Sequence, residues 1–320
     1  MPTIAARKCL CSTVRCNGSG TWNLTSNGVI LVNAVRLVST KDMPYDEWLE
    51  WRKKGIGGSD VAAICGMSRY RSPVEVYLDK LGQIPPIEDN PKMAAGRRLE
   101  PFIADWFAED TGYKVWRQNY IFQHPEHEFM FANIDRWLPG MNAGLEIKNT
   151  SEFGRDDWAG TQAPAEYILQ CNHYMAVTGA ERWFIAVLIG GWDFQWRVIE
   201  RDDDLINNLI TVEREFWQNH VQAKVPPAFS HQDTARLSEM YPTSSPVSID
   251  LAEDVYPIIQ HLYEARKAKA NAREQEETAK NQIKAIMGEA ERAFWQGDLA
   301  FTWKTNAKGN RVFNVIGGND

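Results

Sequence analysis

Between residues 40 and 222 the apolar spacing switches back and forth between helical and strand periods, and this alternation limits the fold more than any other feature of the chain. DMPYDEWLEWRKKG reads as a helix with Asp42 as its cap and Pro44 near its first turn. GIGGSDVAAICG is a glycine-rich entry into a second short helix capped by Ser59 or Asp60, and SPVEVYLDKLG is a third, closed by Gly82. In KMAAGRRLEPFIADWFAEDTG, Leu99, Ile103, Trp106 and Phe107 recur at helical spacing, with Pro101 either kinking one helix or opening a second. Strand signals follow in YKVWRQNYIF, EFMFANIDRWL and GLEIKN, the last two joined by a PGMN turn. PAEYILQCNHYMAVTG is a helix, ERWFIAVLIGG and FQWRVIER form a strand pair, and DDDLINNLITVEREFWQNHVQA closes the run as a helix. Helices, three strands, a helix, two strands and a helix imply an α/β core built on a mixed sheet.

That core spans residues 34–232, with a short strand in VNAVRLVS at its start. Residues 1–33 lack sustained periodicity and read as a poorly ordered extension. Residues 233–250 are polar and Pro-rich and read as a linker. The character then changes over 251–320. An Ala/Glu/Lys-rich stretch with Pro257 in its first part predicts a long charged helix, and AERAFWQGDLAFTWKTNAKGNRVFNVI predicts a β-hairpin. Together they form an appendage rather than a second catalytic domain.

No apolar run approaches the roughly 18 residues of a membrane span, and the first residues do not resemble a secretory leader. Five cysteines without a regular framework argue against structural disulfides, which points to a cytoplasmic protein. Cys9, Cys11 and Cys16 cluster, but no fourth zinc ligand is evident beside them, so they read as part of the leader. The net charge of −7 argues against indiscriminate coating of nucleic acid and leaves room for a local basic groove.

Chemistry concentrates around GLEIKNTS. If the PGMN turn centres on Gly140 and Met141, Asp135 lies directly opposite Glu146 across the hairpin. Facing carboxylates repel, and a divalent cation would convert that repulsion into a ligand pair. Mg²⁺ is typically held by one or two carboxylates together with water and substrate phosphate. Lys148 points to the same side of the strand as Glu146. There it could orient or deprotonate an attacking water and stabilise charge on a scissile phosphate. As a bare pattern, D-x10-E-x-K is weak, and a solvated strand end with a surface ion pair is its plainer explanation. Glu100 beside two arginines and Gln170 on an amphipathic helix are equally bland when taken singly. His173 reads as packing, and GIGGSD lacks the lysine of a phosphate-binding loop. Trp51 with Arg52, and Trp116 with Arg117, could stack on bases.

Taken together, WRKKGIGGSDVAAICG, GRRLEPFIADWF, NIDRW, LEIKN and YILQCNHYMAVTG occur in an order that closely resembles the YqaJ/lambda-exonuclease family of phage-type recombination nucleases, within the PD-(D/E)xK superfamily. The likeness runs from about Trp48 to Gly179, and the strand pair and helix beyond it suit the same fold. The resemblance implies a restriction-endonuclease-like α/β core and a 5′-to-3′ exonuclease acting on ends of double-stranded DNA. It makes Asp135, Glu146 and the backbone carbonyl of Ile147 ligands of Mg²⁺, or of Mn²⁺ in its place. Lys148 becomes the catalytic lysine, Glu100 the helix-borne acid that supports metal and water, and Gln170 an orienting residue. Arg52 and Ser59 match positions that engage a terminal 5′ phosphate. It further implies a homotrimeric ring and a single-strand-annealing protein as partner, in a phage- or prophage-encoded setting. The chain departs from the pattern at Ile134, where a proline would precede the aspartate, and in its two terminal extensions. An endonuclease or end-trimming nuclease of the same superfamily, and a non-catalytic DNA-end-binding protein, are the rival readings. Relatives with an iron–sulfur cluster carry one cysteine before the core and three after it, a distribution this chain lacks.

Overall fold

The structure, a computed structural model, describes residues 34–85 and 90–316. The expected N-terminal extension and its cysteine cluster lie outside them. The chain divides into two units, Met1–Pro242 and Thr243–Asp320.

The first unit begins with β1 (Val35–Ser39), α1 (Tyr45–Lys53), β2 (Ile56–Gly57), α2 (Gly58–Ile64), α3 (Pro73–Lys80) and α4 (Pro91–Thr111). Strands β3 (Trp116–Arg117), β4 (Tyr120–Gln123), β5 (Met130–Ala132), β6 (Arg136–Leu138) and β7 (Ala143–Thr150) follow. The unit continues with α5 (Ala165–Thr178), β8 (Arg182–Ile189), β9 (Asp193–Glu200), α6 (Asp203–Phe216) and α7 (Thr234–Met240). The sheet that matters for the site has the order β3-β6-β7-β8-β9 and is mixed, because β7 and β8 run parallel while their outer neighbours are antiparallel. A second sheet, β1-β4-β5-β2, lies in the same unit. The strand run thus divides between two sheets: β3 and β6 belong to one, β4 and β5 to the other. The chain crosses between them at residues 133–135, so Asp135 sits just before β6 rather than inside a ladder.

Alternation along β7 and β8 sorts the core into two layers. Leu145, Phe184, Ala186 and Leu188 pack with Ile103 and Phe107 of α4, and Ile147 packs against the same cluster. Trp183, Ile185 and Val187 pack with Cys171 and Met175 of α5 on the other face. Pro101 does not restart α4, which runs through it as one helix of 21 residues ending at Gly112 in a left-handed conformation. A proline inside a helix costs about 3 kcal/mol. The complete burial of Ile103 and Phe107, worth about 1.5–3 kcal/mol each, offsets that cost.

Local capping differs from expectation at two helices. Asp42 has φ 60° and caps nothing, while α1 begins at Tyr45 after Pro44. Helix α2 begins one residue before Ser59, and the Asp60 carboxylate accepts the Gly57 N–H at 3.0 Å. Residues 234–240, read as linker, form α7. The buried Asp233 before it accepts the Ser72 hydroxyl and the Ser230 amide, so the chain up to α7 packs with the first unit. No helix among the described residues is long and apolar enough to cross a membrane.

In the second unit, α8 (Tyr256–Met287) is the long charged helix, with Pro257 harmlessly in its first turn. The expected hairpin is a three-stranded antiparallel sheet of β10 (Arg292–Trp295), β11 (Asp298–Thr305) and β12 (Arg311–Val315).

Gly144 shows how tightly β7 is seated. A Cβ there would lie 2.1 Å from Trp183 Cζ2, a ring that is fully buried and cannot retreat. Gly144→Ala is therefore expected to lower the unfolding free energy by about 1–3 kcal/mol. Urea denaturation reads this directly, and an unchanged midpoint would contradict the packing described.

Candidate active site

The β6–β7 ladder pairs Arg136 with Leu145, Trp137 with Gly144 and Leu138 with Ala143. Continued by one residue, that register brings Asp135 level with Glu146, as the PGMN turn implies. Asp135 Oδ2 accepts the Ile147 N–H at 2.9 Å, which holds its carboxylate against β7. Glu146 and Lys148 lie on the α5 side of the strand while Ile147 faces α4. Gln170 projects from α5 onto the same pair.

These groups form one network. Glu146 Oε1 accepts from Lys148 Nζ at 2.7 Å and from Gln170 Nε2 at 2.7 Å. The Gln170 amide oxygen takes a second bond from Lys148 at 3.1 Å, and its nitrogen also reaches the Tyr174 hydroxyl at 2.9 Å. Lys148 Nζ lies 4.7 Å from the centroid of the Tyr167 ring. Glu100 reaches the group indirectly: it accepts Arg136 Nη1 at 2.5 Å, and the same nitrogen donates to the Asp135 carbonyl at 2.8 Å.

The electrostatics leave a cation wanting. Burial, then the charges of Glu146 and Glu100, push the Asp135 carboxyl well above the ordinary carboxylate range, despite opposing help from Lys148 and the Ile147 amide. Glu146 Oε2 is buried and has no hydrogen-bond partner. Burial works against the Lys148 ammonium, but Glu146 beside it more than compensates, so the amine stays protonated above the usual lysine range. Lys148 is thus a donor and a positive charge rather than a base in this state. Among the described residues no three His, Cys, Asp or Glu side chains form a metal-binding group. What the site offers instead is the pair of carboxylates of Asp135 and Glu146, which suits a hard cation that keeps several waters, as Mg²⁺ does.

Asp135, Glu146, Lys148 and Gln170 line a cavity of about 220 Å³, and Arg52 and Ser59 line it too. Glu100 does not. Arg52 Nη2 donates to Ser59 Oγ at 3.0 Å, and its guanidinium stacks over Trp48, 4.9 Å from the centroid. Trp48, rather than the adjacent Trp51, is thus the aromatic partner of Arg52. His173 is a core residue, held between the Glu213 carboxylate at 2.9 Å and the Phe131 carbonyl at 2.8 Å.

Sequence reasoning missed the layer beneath Arg52. Asp60 is fully buried and accepts from Lys80 Nζ at 2.6 Å and Arg71 Nη1 at 2.6 Å. Burial alone would raise its pKa. The charges of Lys80, Arg71 and Arg52 prevail and hold it well below the carboxylate range. The one available signal was a charged residue opening the otherwise apolar VAAIC helix. Because Asp60 titrates below the unfolded value of about 3.9, its contribution is present above that pH and is lost as the pH falls through the folded value. Asp60→Ala strands the buried Lys80 ammonium and should cost about 3–5 kcal/mol at neutral pH. Guanidinium denaturation measures this, and a loss under 1 kcal/mol would contradict the pairing.

Residues 47–181 match the family model of the YqaJ-like viral recombinase domain. Over 274 residues the chain is 38% identical to the YqaJ protein of Bacillus subtilis (strain 168), an alignment covering 84% of this chain and 86% of that protein. Among solved structures, the alkaline exonuclease LHK-Exo of Laribacter hongkongensis aligns at 21% identity and a TM-score of 0.47, over 61% of this chain and 100% of that one. A phage-related exonuclease from Haemophilus somnus 129PT aligns at 13% identity and a TM-score of 0.42, over 53% of this chain and 96% of that one. With the relationship to the Bacillus protein spanning most of both chains, this chain belongs to the YqaJ-like viral recombinase family.

Proposed function

We propose that the chain is a Mg²⁺-dependent deoxyribonuclease that degrades one strand of double-stranded DNA in the 5′-to-3′ direction from its ends, leaving 3′ overhangs for phage-type recombination. The observation that carries this reading is the single cavity lined both by Arg52 and Ser59 and by Asp135, Glu146 and Lys148. An arginine and hydroxyl suited to a terminal phosphate stand beside a carboxylate–lysine group suited to phosphodiester hydrolysis.

In this reading Asp135, Glu146 and the Ile147 carbonyl hold Mg²⁺, with Mn²⁺ an acceptable substitute. The cation supplies charge stabilisation at the scissile phosphate and lowers the pKa of water. Lys148, protonated, donates to the reacting oxygens and orients the attacking water. Gln170 holds Lys148 and Glu146 in register through its two amide atoms. Glu100, tied through Arg136 to the Asp135 backbone, adds negative charge that favours cation uptake. The resemblance to phage-type exonucleases extends the proposal to a homotrimeric ring around DNA, a single-strand-annealing partner and action in the host cytoplasm. A ring would reconcile the net charge of −7 with DNA binding by keeping positive charge inside.

The test is digestion of linear duplex labelled at either the 5′ or the 3′ end, beside closed circular duplex, with and without Mg²⁺. Early release of the 5′ label, intact circles and no reaction without the cation are expected. Cleavage of closed circles would favour the endonuclease reading, and absence of any hydrolysis would favour the end-binding one. Arg52→Ala should lower kcat/KM about 10–100-fold on 5′-phosphorylated ends, the cost of a lost charge-assisted bond. An equal loss on 5′-hydroxyl ends would refute its role.

A further inference from the structure

Beneath the cavity lies a buried cluster that the hydrolytic chemistry does not use. Lys80, with its side chain fully buried, donates to Asp60 Oδ2 at 2.6 Å and also to the backbone carbonyl of Arg52 at 2.8 Å. Arg71 occupies the other oxygen, Asp60 Oδ1, at 2.6 Å, and fastens its far side to Asp79 at 2.6 Å. Arg52 is the third cation within reach of Asp60, yet its Nη2 stands 3.6 Å from Oδ1. That same nitrogen is 3.0 Å from Ser59 Oγ.

The distances describe a competition. A buried carboxylate attracts every cation around it, and a guanidinium is the best-shaped partner it can have. If Asp60 captured Arg52 fully, the guanidinium would turn inward and leave the cavity. Lys80 and Arg71 prevent this by taking one carboxylate oxygen each, with the Gly57 amide adding a third donor at 3.0 Å. Lys80 also secures the Arg52 carbonyl in the last turn of α1, where helical carbonyls lack partners within the helix. Arg52 is thereby held at its backbone and released at its tip.

We propose that Lys80 and Arg71 are positioning residues that saturate Asp60 and so keep the Arg52 guanidinium turned toward Ser59 and the phosphate of the substrate end. The inference rests on the reading of Arg52 as a phosphate-recognition residue. It adds that specificity for phosphorylated ends depends on two side chains expected to touch no DNA.

The test compares kcat/KM on 5′-phosphorylated and 5′-hydroxyl duplex ends for the full chain and its variants. Lys80→Met is expected to reduce the phosphate-to-hydroxyl ratio at least fivefold, toward the Arg52→Ala value, because Asp60 then draws Arg52 inward. Arg71→Gln, at a partly exposed position, should act in the same direction and serves if the Met variant folds poorly. The double variant Asp60→Asn/Lys80→Met, which removes the captor as well as the guard, should recover most of the ratio. In an Arg52→Ala background, Lys80→Met should change the ratio no further. Equal losses on both kinds of end in Lys80→Met and Arg71→Gln, or no recovery in the double variant, would show a purely structural role and overturn the proposal. If Arg52→Ala itself leaves the ratio unchanged, the reading of Arg52 fails first, and the two failures are told apart.

Discussion

Two carboxylates held side by side in a buried place set the terms for the rest of this molecule. Like charges a few ångströms apart at an effective dielectric near 20 repel by about 4 kcal/mol, and a sheet left to itself would let Asp135 swing away. Three features deny it that freedom. The β6–β7 register brings it level with Glu146, the Ile147 amide holds its carboxylate, and Arg136 takes its carbonyl. The resulting strain shows as a raised Asp135 pKa and an orphaned Glu146 oxygen. The proposed cation would relieve both.

The core supports this arrangement from two sides. Helix α4 covers the face that carries Leu145 and Ile147, and helix α5 covers the face that carries Glu146 and Lys148. Burial of the strand on both faces is what makes the charges count, since the same E-x-K on a solvated strand would be screened and chemically inert. On the other wall of the cavity the logic is reversed. Asp60 is a buried anion with a surplus of cations, and the surplus is what leaves Arg52 available. One wall sets two carboxylates beside one lysine, Lys148, and the other holds more cations than Asp60 can bind closely. The proposed substrate phosphate, together with a divalent cation, would answer both.

How much of this could be read from the chain alone varied with the range of the interactions involved. The α/β order and the hairpin register were legible, because apolar periodicity and a PGMN turn are local signals. So was the gathering of Asp135, Glu146, Lys148 and Gln170, once five motifs were taken in order. The division of YKVWRQNYIF between two sheets was not, since Trp116–Arg117 is too short a strand to carry a periodic signal. The state of Pro101 depended on how deeply Ile103 and Phe107 are buried. Ser59 and Asp60 looked like caps because both residue types favour that position, whereas Asp60 sits at the third helical residue and points into the protein. Lys80 was invisible for a similar reason: in VEVYLDK a lysine reads as solvent-facing, and only its distant partners, Asp60 and the Arg52 carbonyl, draw it inside. α7 lay within a polar, Pro-rich stretch, and its anchorage through Asp233 to Ser72 spans too many residues to be seen locally.

The central claim is that the Asp135–Glu146 pair is an electrostatic fault line that a divalent cation closes. It is tested most directly by thermal unfolding of the wild-type chain and of Asp135→Asn, each with and without millimolar Mg²⁺. The asparagine keeps an acceptor for the Ile147 amide and removes the repelling charge. The account predicts that the variant melts at or above the wild-type temperature without metal. It also predicts that Mg²⁺ raises the wild-type midpoint by mass action and leaves the variant where it was. A variant that is less stable without metal and still stabilised by Mg²⁺ to the same extent as wild type would contradict it.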